Sequence, residues 1–390
     1  MVDREVLLHH MAEDIAKKHN YNDAKIKIEP ISTEGANYSS VLFNITISAT
    51  TKKDLHLFAK VLNFNESVRS SMGGLIIEIE GWVYEDLAGI FKKIEDKCEV
   101  PDKFRYVFPE FYGYNPKLYA ETLILENLVA RGFEVYDRLK SIDWPYAAKA
   151  VETLAKFHAL SMAYGKENPE IYEKKFGNNI EIALKPLGER FNDFVETALS
   201  VLKEENKERL RQFRDKEQSQ GNVFVKYMTM KSKPVLAHGD YRPSNIMHKV
   251  NKDGTIDLIP IDYQTVNGGN CITDLLYFIF SGSDSQFRER YYQRLIDHYY
   301  DSLKAALIRL KLNPDEIYSR KDFDSELKRI LPYGLLCALL VLPVVTVTSE
   351  NAPDLNSADM FERLAKPKTS PQYKDRINGV IDDYIKWGIL

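Results

Sequence analysis

His238-Gly-Asp240 stands five residues ahead of Asn245, and Asp262 follows seventeen residues after that. An ionised carboxylate, an uncharged amide and a second carboxylate at these spacings suit the movement of a phosphoryl group. Asp240 would take or orient the proton of an attacking hydroxyl. Asn245 and Asp262 would offer hard oxygen ligands to a Mg2+ ion bridging nucleotide phosphates. Each piece alone is ordinary, since His-Gly-Asp by itself also reads as a turn with a capping Asp. The set gains meaning from the elements around it, because loops that carry such groups need strand ends to fix them. Two short apolar runs supply these ends: 235–237 leads into His238, and 256–261 leads into Asp262 after an Asn251-Lys-Asp-Gly254 turn.

Such chemistry also needs a cation for the phosphates and a partner to hold it. Lys60 lies on the third predicted strand, where its ammonium would meet the α- and β-phosphates of ATP. Glu80, twenty residues on in a predicted helix, would pair with it and offset the cost of its burial, with Glu78 as the competing partner. The loop 33–40 joins the first two strands, so main-chain amides around Asn37, Tyr38, Ser39 and Ser40 would cradle phosphates. It holds a single glycine, and a plain hairpin loop is the competing reading. Glu126 and Leu128 end a strand where two lobes should join, and their backbone would pair with the adenine edge. His158 falls on an apolar helix face and reads as a satisfied core histidine; Asp274 opens a helix and reads as a cap or brace for the catalytic loop.

The elements that must position these groups follow from periodicity. A first helix spans the amino-terminal twenty residues, and strands at 25–28, 41–49 and 55–62 form an antiparallel meander. A helix over 73–97 and two strands at 106–111 and 119–125 complete the sheet-rich part. From Asp143, with Pro145 just inside, the pattern turns helical. The expected fold class is α+β and two-lobed: residues 1–125 form a nucleotide-binding lobe of antiparallel sheet plus helix. Residues 126–390 form a larger, mainly helical lobe with the catalytic loop, the metal loop and the acceptor site.

Composition agrees. The chain has 390 residues, 44% hydrophobic and 28% charged, which is enough apolar material for a sizeable core. Fifty-three Lys and Arg against 57 Asp and Glu give −4, and that balance argues against nucleic acid or anionic membrane as partner. A small molecule is expected instead, with a monomer compatible. Cys98, Cys271 and Cys337 have neither disulfide nor zinc spacing and suit a reducing compartment, the cytoplasm. The apolar run 335–347 is shorter than the ~20 residues of a membrane span and reads as a core helix.

The His-Gly-Asp/Asn and Asp262-Tyr-Gln pattern resembles the protein-kinase-like superfamily. Gly239, where protein kinases carry Arg, points to the aminoglycoside- and choline-kinase branch of small-molecule kinases. Over most of its length the chain is similar to the ecdysteroid kinase-like (CHK-kinase-like) group. The resemblance is carried by Gly35-Ala-Asn-Tyr-Ser39, Phe58-Ala-Lys60, Glu80 with Tyr84, Leu123 to Leu128, Leu154 to His158, His238 to Asn245, Ile261 to Gln264, and Asp274-Leu-Leu-Tyr-Phe278. It implies ATP- and Mg2+-dependent phosphorylation of a hydroxyl on a small molecule, an ecdysteroid or a lipophilic foreign alcohol. Arg242 stands where much of the group has tryptophan, Tyr263 replaces the usual Phe, and Asn63 replaces a frequent Pro. A protein kinase is disfavoured because neither Phe-Gly after Asp262 nor a later Ala-Pro-Glu is present. A catalytically silent nucleotide-binding module is the remaining alternative. The acceptor is expected against Tyr291, Tyr292, Tyr299 and Tyr300.

Overall fold

The computed structural model describes residues 4–31, 40–63, 74–170, 175, 179–219, 221–228, 235–347 and 369–390. Five strands build an antiparallel sheet: β1 (Lys25–Pro30), β2 (Ser40–Ala49), β3 (Lys52–Leu62), β4 (Phe111–Asn115) and β5 (Thr122–Glu126). Their order is β1-β2-β3-β5-β4. Because side chains alternate along a strand, Leu57, Ala59 and Val61 share one face and Lys60 takes the other. The first face packs with Phe43, Ile45, Ile47 and Ile124 against α1 (Arg4–Lys18), whose Leu8, Ala12, Ile15 and Ala16 recur at helical spacing. That arrangement leaves Lys60 pointing away from this small core.

The helix expected over 73–97 is interrupted. It runs as α2 (Gly74–Trp82), a π-helical turn over Val83–Leu87, and α3 (Ala88–Cys98). Its buried residues Val83, Tyr84, Leu87, Phe91 and Ile94 join the large core of the helical lobe, not the core under the sheet. The helix is therefore the hydrophobic bridge between the lobes.

The expected strand at 106–111 is displaced. Tyr106 is tied by side chains instead: its amide donates to Glu95 Oε1 at 2.7 Å and its hydroxyl meets that of Tyr263 at 2.7 Å. Pairing starts only at Phe111, past Pro109, which has no N–H to give a ladder. The aromatic run that suggested a strand serves packing, with Tyr106 and Phe108 in ring contact with each other and Phe108 with Tyr263.

The helical lobe begins with a two-residue strand, β6 (Glu134–Val135), and α4 (Trp144–Glu167). Asp143 caps α4 by accepting from the Tyr146 amide, with Pro145 inside the first turn. Four further short strands are β7 (Val235–Ala237), β8 (Ile246–Val250), β9 (Ile256–Pro260) and β10 (Asn267–Gly269). They pair as β10-β7 and β6-β8-β9. Helices α5 (Cys271–Gly282), α6 (Ser285–Arg309), α7 (Arg320–Val345) and α8 (Pro371–Lys386) close the lobe, and helices Asn179–Glu189, Phe191–Leu199 and Glu204–Gln218 flank it. The chain thus adopts the expected α+β architecture, a small antiparallel sheet with its own core against α1 and a larger, mainly helical lobe.

By length and composition α7 alone among the described residues could cross a membrane, and 67% of its apolar window is buried inside the protein. It packs between α5 and α8. Gly334 lets it approach closely, because a Cβ there would meet the Phe280 ring at 2.5 Å and the Tyr384 hydroxyl. Gly334→Val should therefore cost about 3 kcal/mol through overpacking. The expected reading is a lower urea midpoint with an unchanged slope, and an unshifted midpoint would contradict this account of the packing.

Candidate active site

The exposed-to-core alternation of β3 delivers Lys60 into the space between the lobes. Its Nζ lies 2.8 Å from Glu80 Oε2 and 2.6 Å from Asp262 Oδ1. Gln264 Oε1 accepts from the same ammonium at 3.4 Å, and its amide nitrogen donates to Asp262 Oδ2 at 3.4 Å. Glu80 is buried and Glu78 is exposed, so Glu80 is the partner of the lysine. Asp262, just past β9, has φ of 66°, a left-handed conformation that Asp tolerates better than most residues.

The other two groups come from the loop after β7. Asn245 Nδ2 donates to Asp240 Oδ2 at 2.8 Å and to the Asp240 carbonyl at 3.0 Å. Arg242 Nε lies 3.2 Å from Asp240 Oδ1, and the Tyr277 hydroxyl donates to that same oxygen at 2.7 Å. The two loops are joined by backbone, since the Ile261 amide donates to the Asn245 carbonyl at 2.9 Å.

Asp274 fixes this loop from below. Its carboxylate accepts from the His238 amide at 2.6 Å and the Gly239 amide at 2.9 Å. His158, fully buried on α4, bonds Asp274 Oδ2 at 3.0 Å through Nε2 and the Tyr299 hydroxyl at 2.7 Å through Nδ1. It is a satisfied core histidine that braces the brace. His238 meets the Ile261 carbonyl at 3.1 Å with Nε2 and the Asp240 amide at 3.4 Å with Nδ1, which fixes its neutral tautomer. Burial lowers its pKa, in keeping with that. Gly239 has φ of 83°, and a Cβ there would run into the Thr265 carbonyl, so only glycine fits.

A cleft of about 760 Å³ opens between the lobes. Its apolar part includes Leu42, Phe58, Leu125, Leu128, Met247 and Ile261; its polar part holds Lys60, Glu80, Asp240, Arg242, Asn245 and Asp262. Glu126 also lines it, with its carboxylate held by Arg131 at 2.6 Å. Ser40 opens β2. Asn37, Tyr38 and Ser39 lie outside the described residues.

The four tyrosines expected against the acceptor lie outside the cleft. Tyr299 and Tyr300 are core residues, the second donating to the Tyr318 carbonyl at 3.1 Å. Tyr291 and Tyr292 pack against Trp144 and Trp387. None of them lines the cleft. Helical spacing set them on faces that the core claimed first.

Electrostatics favour a charged site. Burial works against the Lys60 charge, but Asp262 and Glu80 outweigh it and raise its pKa, so the lysine stays protonated. Burial also pushes both carboxyls up. For Asp262 the pull of Lys60 wins and its pKa falls below the usual range; for the more deeply buried Glu80 burial wins. Arg242 follows the lysine pattern, with Asp240 overriding burial.

Sequence reasoning set Gln264, Tyr277 and Tyr84 among the residues that carry the resemblance and gave none of them a role in the site. The Tyr84 hydroxyl lines the cleft, is buried and has no hydrogen-bond partner among the described residues. Only the three-residue spacing from Asp274 to Tyr277 carried a signal, as it sets both on one helix face.

Among curated proteins none matches the chain. Among solved structures it is similar to the GDP complex of wild-type aminoglycoside 2'-phosphotransferase-IIIa, with 12% identity, 97% of this chain and 98% of that chain covered, and a TM-score of 0.44. A GDP and kanamycin complex of an APH(2")-type enzyme covers 83% of this chain and 98% of its own, with 12% identity and a TM-score of 0.39. The model of the ecdysteroid kinase-like family matches residues 34–312. With that match spanning most of its length, and with Lys60, Glu80, Asp240, Asn245 and Asp262 gathered in one cleft, the chain belongs to the ecdysteroid kinase-like family.

Proposed function

We propose that the protein is an ATP- and Mg2+-dependent kinase that phosphorylates a hydroxyl group of a small molecule. One observation carries the reading: Lys60, Asp262, and the pair Asp240 and Asn245, from three separate stretches of sequence, line the same cleft. The apolar part suits a purine, whose edge would pair with the main chain of Glu126 and Leu128. Lys60, held by Glu80, would hold the α- and β-phosphates. Main-chain amides around Asn37, Tyr38, Ser39 and Ser40 are proposed to cover the phosphates.

The donor set fits Mg2+. The amide nitrogen of Asn245 is spent on Asp240, which leaves its oxygen as a ligand, and Asp262 adds a carboxylate. Both are hard oxygen donors, as the ion prefers. Among the described residues no three His, Cys, Asp or Glu side chains cluster as a metal site, so an ion here would complete its shell with phosphate and water oxygens. Bound there, it would neutralise charge on the phosphates.

The chain's own groups do the rest. Asp240, aimed by Asn245, Arg242 and Tyr277, accepts the proton of the acceptor hydroxyl. Arg242 keeps its charge beside Asp240 and supplies a cation where the phosphoryl group passes. The acceptor belongs in this reading to the ecdysteroids or lipophilic foreign alcohols, as family membership suggests, and Arg242 extends that range to anionic alcohols. A cytoplasmic setting is part of the proposal, in keeping with Cys98, Cys271 and Cys337 being unpaired. A silent nucleotide-binding protein would need a defect elsewhere, since all of these side chains are in place.

Phosphate transfer from labelled ATP to a panel of alcohols, sterols included, tests the reading directly. Asp240→Asn should lower turnover by roughly 10²-fold or more while ATP affinity stays within a few-fold; full turnover would retire the base assignment. Asp262→Ala should remove the Mg2+-dependent rise in melting temperature that ATP confers, and a retained rise would count against Asp262 as metal ligand.

A further inference from the structure

Helix α5 reaches the catalytic loop with two polar side chains, one turn apart. Asp274 grips the main chain at His238 and Gly239, at 2.6 and 2.9 Å. Tyr277, three residues on and therefore on the same face, grips the side chain: its hydroxyl donates to Asp240 Oδ1 at 2.7 Å. The other carboxylate oxygen, Oδ2, is held by Asn245 Nδ2 at 2.8 Å, while Arg242 Nε sits between the two, 3.2 Å from Oδ1 and 3.3 Å from Oδ2. Arg242 and Asn245 line the cleft; Tyr277 does not, and approaches from the helical lobe. Its ring is partly exposed.

Asp240 is thus clamped from two directions. A carboxylate bound on one oxygen only can swing about its terminal torsion, a broad and soft one. Bound on both, it presents its remaining lone pairs in one orientation. Burial, and then the charge of Asp240, push the phenol well above its ordinary pKa, so the hydroxyl keeps its proton and remains a donor.

We infer that Tyr277 is a positioning residue for phosphoryl transfer, its hydroxyl locking the Oδ1 side of Asp240 so that the carboxylate stays aimed at the acceptor hydroxyl. This rests on Asp240 being the base. Tyr277 acts through that carboxylate, to which its hydroxyl donates its hydrogen bond. In the proposed function the nucleotide is held by Lys60, Asn245 and Asp262, and the Tyr277 hydroxyl bonds none of them.

The test compares four full-length proteins: wild type, Tyr277→Phe, Asp240→Asn and the double variant. Each is assayed for phosphate release from ATP and Mg2+ with water as the acceptor. Tyr277→Phe keeps the ring and removes only the donor. It should lower kcat roughly 10- to 100-fold, with KM for ATP and the ATP-dependent thermal shift within about two-fold of wild type. In the double variant the tyrosine change should cost nothing beyond Asp240→Asn, because the group it aims is already gone. An unchanged kcat for Tyr277→Phe, a loss of the thermal shift, or multiplying losses in the double variant would each overturn the role. A silent Asp240→Asn would overturn the base assignment instead, so the two failures are told apart.

Discussion

The buried ammonium of Lys60, shared between Glu80 and Asp262, is the interaction on which the rest depends. It joins the middle of the sheet to helix α2 and to the loop after β9. Bringing such ions out of water costs several kcal/mol each, and removing one partner of a buried set costs about 3–5 kcal/mol, because the remaining charge is stranded. The contact therefore binds the lobes only while all three are present. It also explains the choice of strand face: a one-residue slip of β3 would turn Lys60 into the core against α1 and leave the carboxylates facing each other.

A second layer supports the first. Asp274 and His158 are buried and hold the backbone of the catalytic loop from α5 and α4, the two helices packed beneath it. Main-chain anchoring from helices is what allows the loop to carry a glycine with positive φ and still present Asp240 and Asn245 reproducibly. The bridging helix, with its π-helical turn, completes the frame by tying Glu80 to the aromatic packing around Tyr84 and Tyr263.

Much of this was legible in the residues themselves. Lys60, Glu80, Asp240, Asn245 and Asp262 stood out because phosphoryl transfer needs those chemical types, and short-range spacing fixes which loop or strand carries each. His158 was legible because an apolar helix face buries what it holds. What was hidden depends on contacts between distant segments. Tyr277 meets Asp240 across 37 residues, and Tyr106 meets Tyr263 across 157; no local pattern encodes either. The run 106–111 misled because aromatic residues suit strands and cores alike, and only Pro109 hinted that pairing would start later. The four tyrosines of α6 misled in the same way: amphipathic spacing says that a residue is buried, and not whether a ligand or the core buries it.

Asp262 combines two demands at one position, a negative charge and a left-handed backbone at φ of 66°. Most side chains are excluded there by the dihedral before their chemistry is considered, and asparagine is the replacement the backbone accepts most readily. Asparagine keeps the shape and discards the charge. Mutational drift at this position thus has a preferred exit that satisfies the backbone and strands the Lys60 charge, so the dihedral and the ion pair pull the same codon in opposite directions.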